Sequence, residues 1–293
     1  TAAYTRNPSL RKSDLNPPNG GCGETKAPPI MDRVRFLYVL FSTLMRWLQY
    51  LALPLILFTL WAGVSYTGRV PAILLPTPGA VWDSFVSLTV SGDLLHHTLA
   101  SGFRSLAGFA IASALGLALG LLNARSAVST RVSYLLLEAA RVTPPLSLIP
   151  LLILWLGIDE APKIAIVFLA SFFPIYMNVV TAVKAVDPKL EEAAKLLRFT
   201  KSERLRYLTL PSSLPGILTG LRLGFGYSWR ALVAAELIAA SSGLGFLISD
   251  SAEFAKTDTV FVGIITIAVV GVIADRVLYA AFEAVGRRVG RAV

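Results

Sequence analysis

DPKLEEAAKLLRFTKSERLRYLTLPSSLP, residues 187–215, is a charge-dense segment between two apolar runs, each long enough to cross a bilayer. Asp187 ahead of Pro188 predicts a helix start, with an acceptor at the N-cap and a proline whose missing N–H costs nothing there. Leu190, Ala193, Ala194 and Leu197 fall at i, i+3, i+4 and i+7 and make one apolar stripe. Glu191, Glu192, Lys195 and Arg198 take the opposite face, with Glu191 and Lys195 in the favourable i, i+4 order. Thr200 with Glu203 three residues on reads as a capping box, opening a short basic helix through Arg204, Arg206 and Tyr207. Leu210-Pro211 is expected to close the segment and Pro215 to open the next apolar run. Two short amphipathic helices on a membrane surface need something to receive their apolar stripe.

Composition agrees with a membrane setting. The chain has 293 residues, 55% hydrophobic and 15% charged, with a mean hydropathy of +0.65. A soluble domain would carry nearer to about a quarter charged residues. The expectation is an all-α integral membrane protein, one bundle of spans. A net charge of +9 does not point to nucleic acid, because the basic residues gather in particular loops. Cys22 stands alone, which excludes internal disulfides and cysteine-based metal clusters. The first 30 residues have no apolar h-region, so no cleavable signal peptide is expected.

In chain order, residues 1–30 are rich in Pro, Gly, Asn and Ser and read as a disordered cytosolic tail. Residues 31–47, apolar but interrupted by Arg33, Arg35 and Arg46, fit an interfacial elbow helix. Six spans follow within residues 48–285, at about 48–66, 98–122, 133–156, 163–185, 214–240 and 259–281. A basic cytosolic tail, 286–293, ends the chain. The prolines of LPTPG at 75–79 predict an extended loop. His96 and His97 project about 100° apart on a helix and make a poor metal pair, so a solvated or capping role is expected. Ala112, Gly116 and Gly120 form one small-residue ridge, and Gly216, Gly220 and Gly224 a second; each lets another helix approach closely. The SSGLGF segment at 241–246 reads as re-entrant or interfacial.

Lysine and arginine orient the spans. The chain through Arg35 carries six, residues 123–133 two, 184–212 seven and the C-terminal tail three. The loops at 67–93, 156–163 and 241–258 carry one each. Eighteen against three puts both termini and the 187–215 segment on the cytosolic side.

Catalytic signatures are absent. No G-x-x-x-x-G-K-[ST], H-E-x-x-H or G-x-S-x-G occurs, so the chain should bind neither ATP nor metal and should not be an enzyme. A secondary transporter would need repeated halves and mid-membrane coupling carboxylates; Glu138 and Glu236 are the candidates, but no repeat is visible. A membrane enzyme would need a polar constellation within the helices, and both histidines lie outside. Among intramembrane polar groups, Arg230, Glu236 and Asn178 are the candidates to line a transport path. Arg222 should snorkel, Arg104 sits near the outer end of its span, and Glu138 should neutralise Arg141. Six residues of helix put Glu236 on a different face from Arg230, which is expected to stand unpaired, or else to meet a carboxylate of another helix.

The 187–215 segment also carries a resemblance. Glu192-Ala193-Ala194, then Leu208, Leu210-Pro211 and Pro215, are similar in type and spacing to the EAA loop of ABC importer permeases. That resemblance implies coupling helices docked on a cytosolic ATPase, with Leu190, Glu192, Ala193, Ala194, Leu197, Leu210 and Pro211 at the contact. This chain departs from the family at Arg198, where glycine is usual six residues after the glutamate. Residues 74–82, 139–158, 172–194 and 233–248 further resemble permeases of the aliphatic sulfonate, taurine and nitrate importer group. The resemblance implies a homodimer of type I importer permeases in the bacterial inner membrane. Its partners would be two ABC ATPase subunits, which bind ATP and magnesium, and a periplasmic or lipid-anchored binding protein. A sulfonate or taurine-like anion is the first expectation, with nitrate, bicarbonate or a vitamin precursor as alternatives.

Overall fold

The structure, a computed structural model, describes residue 45 and residues 51–290, with side chains to residue 287. The predicted tail at 1–30 lies outside these residues, as does the elbow helix apart from Met45, which is helical. Two compact units are present, Thr1–Leu60 and Trp61–Val293. In the first, residues 51–60 are helical and Thr59 bonds back to the carbonyls of Leu55 and Ile56. The second holds the bundle.

The described elements are all helical. They are α1 (Leu51–Tyr66), α2 (Pro78–Ser91), α3 (Asp93–Arg125), α4 (Ala127–Val142), a 3-10 turn (Pro145–Leu148) and α5 (Ile149–Leu156). After these come α6 (Glu160–Lys184), α7 (Pro188–Leu196), α8 (Lys201–Glu203), a π turn (Arg204–Thr209), α9 (Leu210–Ala239), α10 (Leu244–Glu253) and α11 (Thr257–Gly290). Four helical stretches are long and apolar enough to cross a membrane, and the bent pair α4–α5 makes a fifth candidate; α1 is shorter. The chain is a multi-pass membrane protein.

Several expected boundaries move, each for a local reason. The span read at 133–156 is broken, α4 and the helical stretch after it meeting at 91°. Thr143 (ψ 121°) and Pro144 (ψ 125°) are extended, because the proline ring excludes the residue before it from the helical region. The loop read at 67–93 contains helix α2. Thr77 accepts from the Ala80 N–H at 3.2 Å and Pro78 occupies the first turn, so the prolines start a helix where an extended path was predicted. Pro211 and Pro215 do not interrupt the chain: helix continues from Lys201 to Ala239. The missing proline N–H is accommodated in a π turn, with the Leu210 N–H reaching the Leu205 carbonyl. At the C-terminus α11 runs through the expected tail to Gly290.

The core is α6 held between α3 and α9. Val167, Ile175 and Val179 of α6 have no exposed surface. On α3, a Cβ added at Gly116 would sit 2.9 Å from Ile175 and one at Gly120 2.7 Å from Val179. On α9, one at Gly216 would meet Ala182 at 2.5 Å, at Gly220 Asn178 at 2.5 Å and at Gly224 Ile175 at 2.6 Å. Both small-residue ridges therefore face the same helix. Branched side chains of α6 fill the grooves the glycines leave, and van der Waals contact of this kind holds helices together inside a bilayer. A second cluster, Val81, Leu94, Leu244, Leu247 and Val262, seats α10. The SSGLGF segment is thus a buried loop and short helix joined to α3, α9 and α11.

Candidate functional site

The hairpin at 187–209 is built by its caps. Asp187 accepts from the Lys189 N–H at 2.9 Å with Pro188 in the first turn. Arg198 takes the left-handed conformation, φ 55°. Phe199 N–H bonds the Ala194 carbonyl and Arg198 N–H the Lys195 carbonyl, both at 3.0 Å, which is a Schellman ending made without glycine. The predicted capping box closes the next turn: Thr200 Oγ1 accepts from the Glu203 N–H at 3.3 Å, and Glu203 Oε2 from the Thr200 N–H at 2.8 Å. Glu191 pairs with Arg204 across the hairpin at 3.1 Å, in place of the expected Lys195.

The expected stripe divides in two. Ala194 is buried within the chain, 4% exposed, whereas Leu190 and Leu197 are 45% and 69% exposed. Glu192 and Ala193 are exposed, and Leu210 and Pro211 are half-buried at the root of α9. Of the residues expected at a docking face, Ala194 is covered within the chain, while Leu196, which was not among them, is 85% exposed.

Arg230 lies where two cavities meet. A groove of about 1180 Å³ runs along α9 and α11 and reaches Leu190 of α7. A second cavity, about 610 Å³, lies among the α4–α5 bend, α6 and α9; Arg141, Thr143, Asn178, Tyr227 and Arg230 supply its polar lining. Arg230 Nε donates to the Gly226 carbonyl at 3.0 Å, and its guanidinium stands 4.9 Å above the Tyr227 ring. No carboxylate pairs with it among the described residues. Asn178 is half-buried and spends one amide N–H on the Pro174 carbonyl, at 2.8 Å. The three other arginines considered for the path, Arg104, Arg141 and Arg222, are in ion pairs. Arg141 holds Glu138, as expected. Arg222, expected to snorkel, bonds Asp275 through Nε at 3.1 Å and Nη2 at 2.8 Å.

Glu236 does not share the cavity with Arg230 and Asn178. It is 1% exposed. Its carboxylate accepts from Ser101 Oγ, from Arg104 Nη1 at 2.7 Å and from the Gly245 N–H at 3.0 Å. Arg104, also 1% exposed, fills its remaining positions with Glu160, the Ser242 carbonyl at 2.6 Å and Ser242 Oγ at 2.7 Å. His97 takes the capping role of the two expected: its Nδ1 accepts from the N–H of Gly243, the N-cap of α10, at 3.1 Å, while Ser101 Oγ takes the Leu244 N–H at 2.9 Å. The first three amides at the start of α10 are thus captured by His97, Ser101 and Glu236. Sequence reading passed over this cluster, yet His97, Ser101 and Arg104 sit at i, i+4 and i+7, one face of α3.

The chain has recognisable relatives. A family model described as binding-protein-dependent transport system inner membrane component matches residues 112–287. The putative aliphatic sulfonates transport permease protein of Bacillus subtilis (strain 168) is 40% identical over 232 residues, 78% of this chain and 83% of the relative. The taurine transport system permease protein of Escherichia coli (strain K12) is 35% identical over 220 residues, 73% of this chain and 80% of the relative. In fold, a crystal structure of an amino acid ABC transporter with histidines aligns at a TM-score of 0.55 and 19% identity, covering 70% of this chain and 98% of that one.

Proposed function

The chain belongs to the binding-protein-dependent transport system inner membrane components, the permease subunits of ABC importers, and on that premise we propose that it forms the path for a small sulfonate-type anion across the bacterial inner membrane. It is a transport subunit and not itself an enzyme. In this reading α1 and the bent α4–α5 pair join the four long stretches as six spans with both termini in the cytosol, which the Lys and Arg asymmetry supports. Two copies assemble, and each receives a cytosolic ABC ATPase on the exposed residues of the 187–209 hairpin. ATP and magnesium act on that partner. A periplasmic or lipid-anchored binding protein delivers the substrate.

The observation that carries the substrate class is Arg230. A cation within a span costs at least about 2.5–3.5 kcal/mol on insertion scales, so an unpaired one needs a wet or anionic neighbour. Asn178 and Thr143 line the same cavity. A planar guanidinium meets a sulfonate with two parallel hydrogen bonds. The two relatives described above are a sulfonate and a taurine permease.

Arg230→Gln in the assembled transporter tests this. Uptake of butane-1-sulfonate into proteoliposomes should fall by about tenfold or more, the loss of one charge-assisted contact. Assembly and basal ATP hydrolysis should stay as in the wild type. Uptake at full rate, or failure of the subunits to assemble, overturns the anion-path reading.

A further inference from the structure

Arg230 is one of two guanidinium groups in the 610 Å³ cavity; the other is Arg141. They differ in one respect. Arg230 has no carboxylate partner among the described residues, while Arg141 is held two-fold by Glu138, its Nε donating to one carboxylate oxygen at 3.1 Å and its Nη2 to the other. That is the fork by which a guanidinium would receive a sulfonate. Glu138 itself is not among the residues lining the cavity. It reaches Arg141 from one turn earlier on α4, and both side chains are 43% exposed, so neither is walled in.

We infer that Glu138 is a built-in competitor for Arg141, and that Arg141 is the second anion contact of the path, available only when the anion displaces this carboxylate. The inference rests on the anion-path reading of Arg230. The pair is exposed on both sides and held by one neighbouring side chain, so an arriving oxyanion can displace it. The pair also returns once the anion has left. Two free guanidinium groups in one cavity would hold a doubly bridged anion and slow its exit, whereas a transport path must bind weakly enough to release. One free and one masked cation meet that need. The break at Thr143-Pro144 supports the geometry: it ends α4 one residue beyond Arg141, and the 3-10 turn that follows packs on α6 and α9.

The test uses the complete transporter, permease with ATPase and binding protein, in proteoliposomes whose lumen contains increasing butane-1-sulfonate. Lumenal anion can rebind the path and inhibit uptake. Glu138→Gln should make uptake about two- to threefold more sensitive to this inhibition, the most that so weak a competitor withholds, since Arg141 is then unmasked. In the double variant Glu138→Gln/Arg141→Gln the sensitivity should return to the wild-type value, which a merely structural role of Glu138 would not produce. Wild-type sensitivity in Glu138→Gln, or heightened sensitivity that persists in the double variant, overturns the proposal. Should Glu138→Gln not assemble, Glu138→Asp is read instead. Its shorter arm should give an intermediate sensitivity, and a wild-type value there overturns the proposal. Failure of the parent reading shows separately, as full-rate uptake by Arg230→Gln.

Discussion

Arg104 has five guanidinium N–H groups, and Glu160, Glu236 and Ser242 provide five acceptor contacts for them. A buried cation with every donor used is a joint between elements, here α3, the start of α6, the end of α9 and the loop before α10. Removing it leaves Glu236 as a buried carboxylate without a counter-charge, at about 3–5 kcal/mol. Arg104→Met should therefore lower the thermal midpoint of the detergent-solubilised subunit markedly, and Arg104→Lys less, because the charge remains while the fork is lost. Midpoints equal to the wild type in both variants would show that the cluster does not hold the bundle together. The loop glycines belong to the same joint. Gly243 has φ 113°, and a Cβ at Gly245 would come within 2.6 Å of Glu236 Cβ. Sequence alone made Glu236 a path residue because an intramembrane carboxylate demands a reason, and its true partner stands 132 residues away on another helix. Arg230 was legible for the opposite cause: its six-residue offset from Glu236 on one helix is enough to deny it that partner.

At the scale of elements, the two glycine ridges were readable as places of close approach, but not as faces of one shared helix. A ridge at every fourth residue states how near a neighbour can come and carries no information on which neighbour arrives. The α6 side chains settle it, since Val167, Ile175 and Val179 are fully buried between the ridges. Gly220→Leu should thus separate α9 from α6 at Asn178, with an overpacking cost of about 1–3 kcal/mol. A lowered melting midpoint and reduced yield of folded subunit in detergent are the expected readings; an unchanged midpoint would mean the α6–α9 contact is loose. The hairpin was legible almost throughout because capping is local chemistry. Its turn was not, because Arg198 stands where glycine would be unstrained, and a left-handed arginine costs about 1–2 kcal/mol that nearby bonds must offset. The two Schellman hydrogen bonds and the Glu191–Arg204 pair do so. Helix α2 went unread although Thr77, Pro78 and Gly92 mark both its ends, because two prolines in five residues suggest extended chain more strongly than they suggest a helix start.

At the scale of the molecule, membrane class could be read from composition alone, whereas the link between the hairpin and the cavity depended on a helix that the prolines seemed to break. Helix runs from Lys201 through the π turn and Pro211 to Ala239, so the second arm of the hairpin, Arg230 and Glu236 are on one rod, to which α7 is joined through the capped turn at Arg198–Thr200. A push on the hairpin can therefore reach the cavity without passing through a flexible linker. The π turn is the one place along this rod where the ladder changes register, and Pro211 keeps it from reverting to a regular α-helix there. Arg125 also steadies the hairpin, its Nη2 lying 3.4 Å from the Lys201 carbonyl. The apolar side chains left uncovered on α7, Leu190, Leu196 and Leu197, are the contact such a push would use. Ala193 sits exposed on that helix with no side chain beyond its methyl group, so a partner could approach its backbone closely. Ala193→Asp puts an unpaired carboxylate into that contact, and an unsatisfied polar group there costs about 1–3 kcal/mol. The folded subunit should be unaffected, because the position is exposed and the caps at Asp187 and Arg198 are untouched. Transport by the assembled complex should fall by about tenfold or more while membrane insertion and basal ATP hydrolysis by the ATPase persist. Normal transport by Ala193→Asp would mean that the ATPase is received elsewhere, and the rod from hairpin to Arg230 would then have no input to transmit.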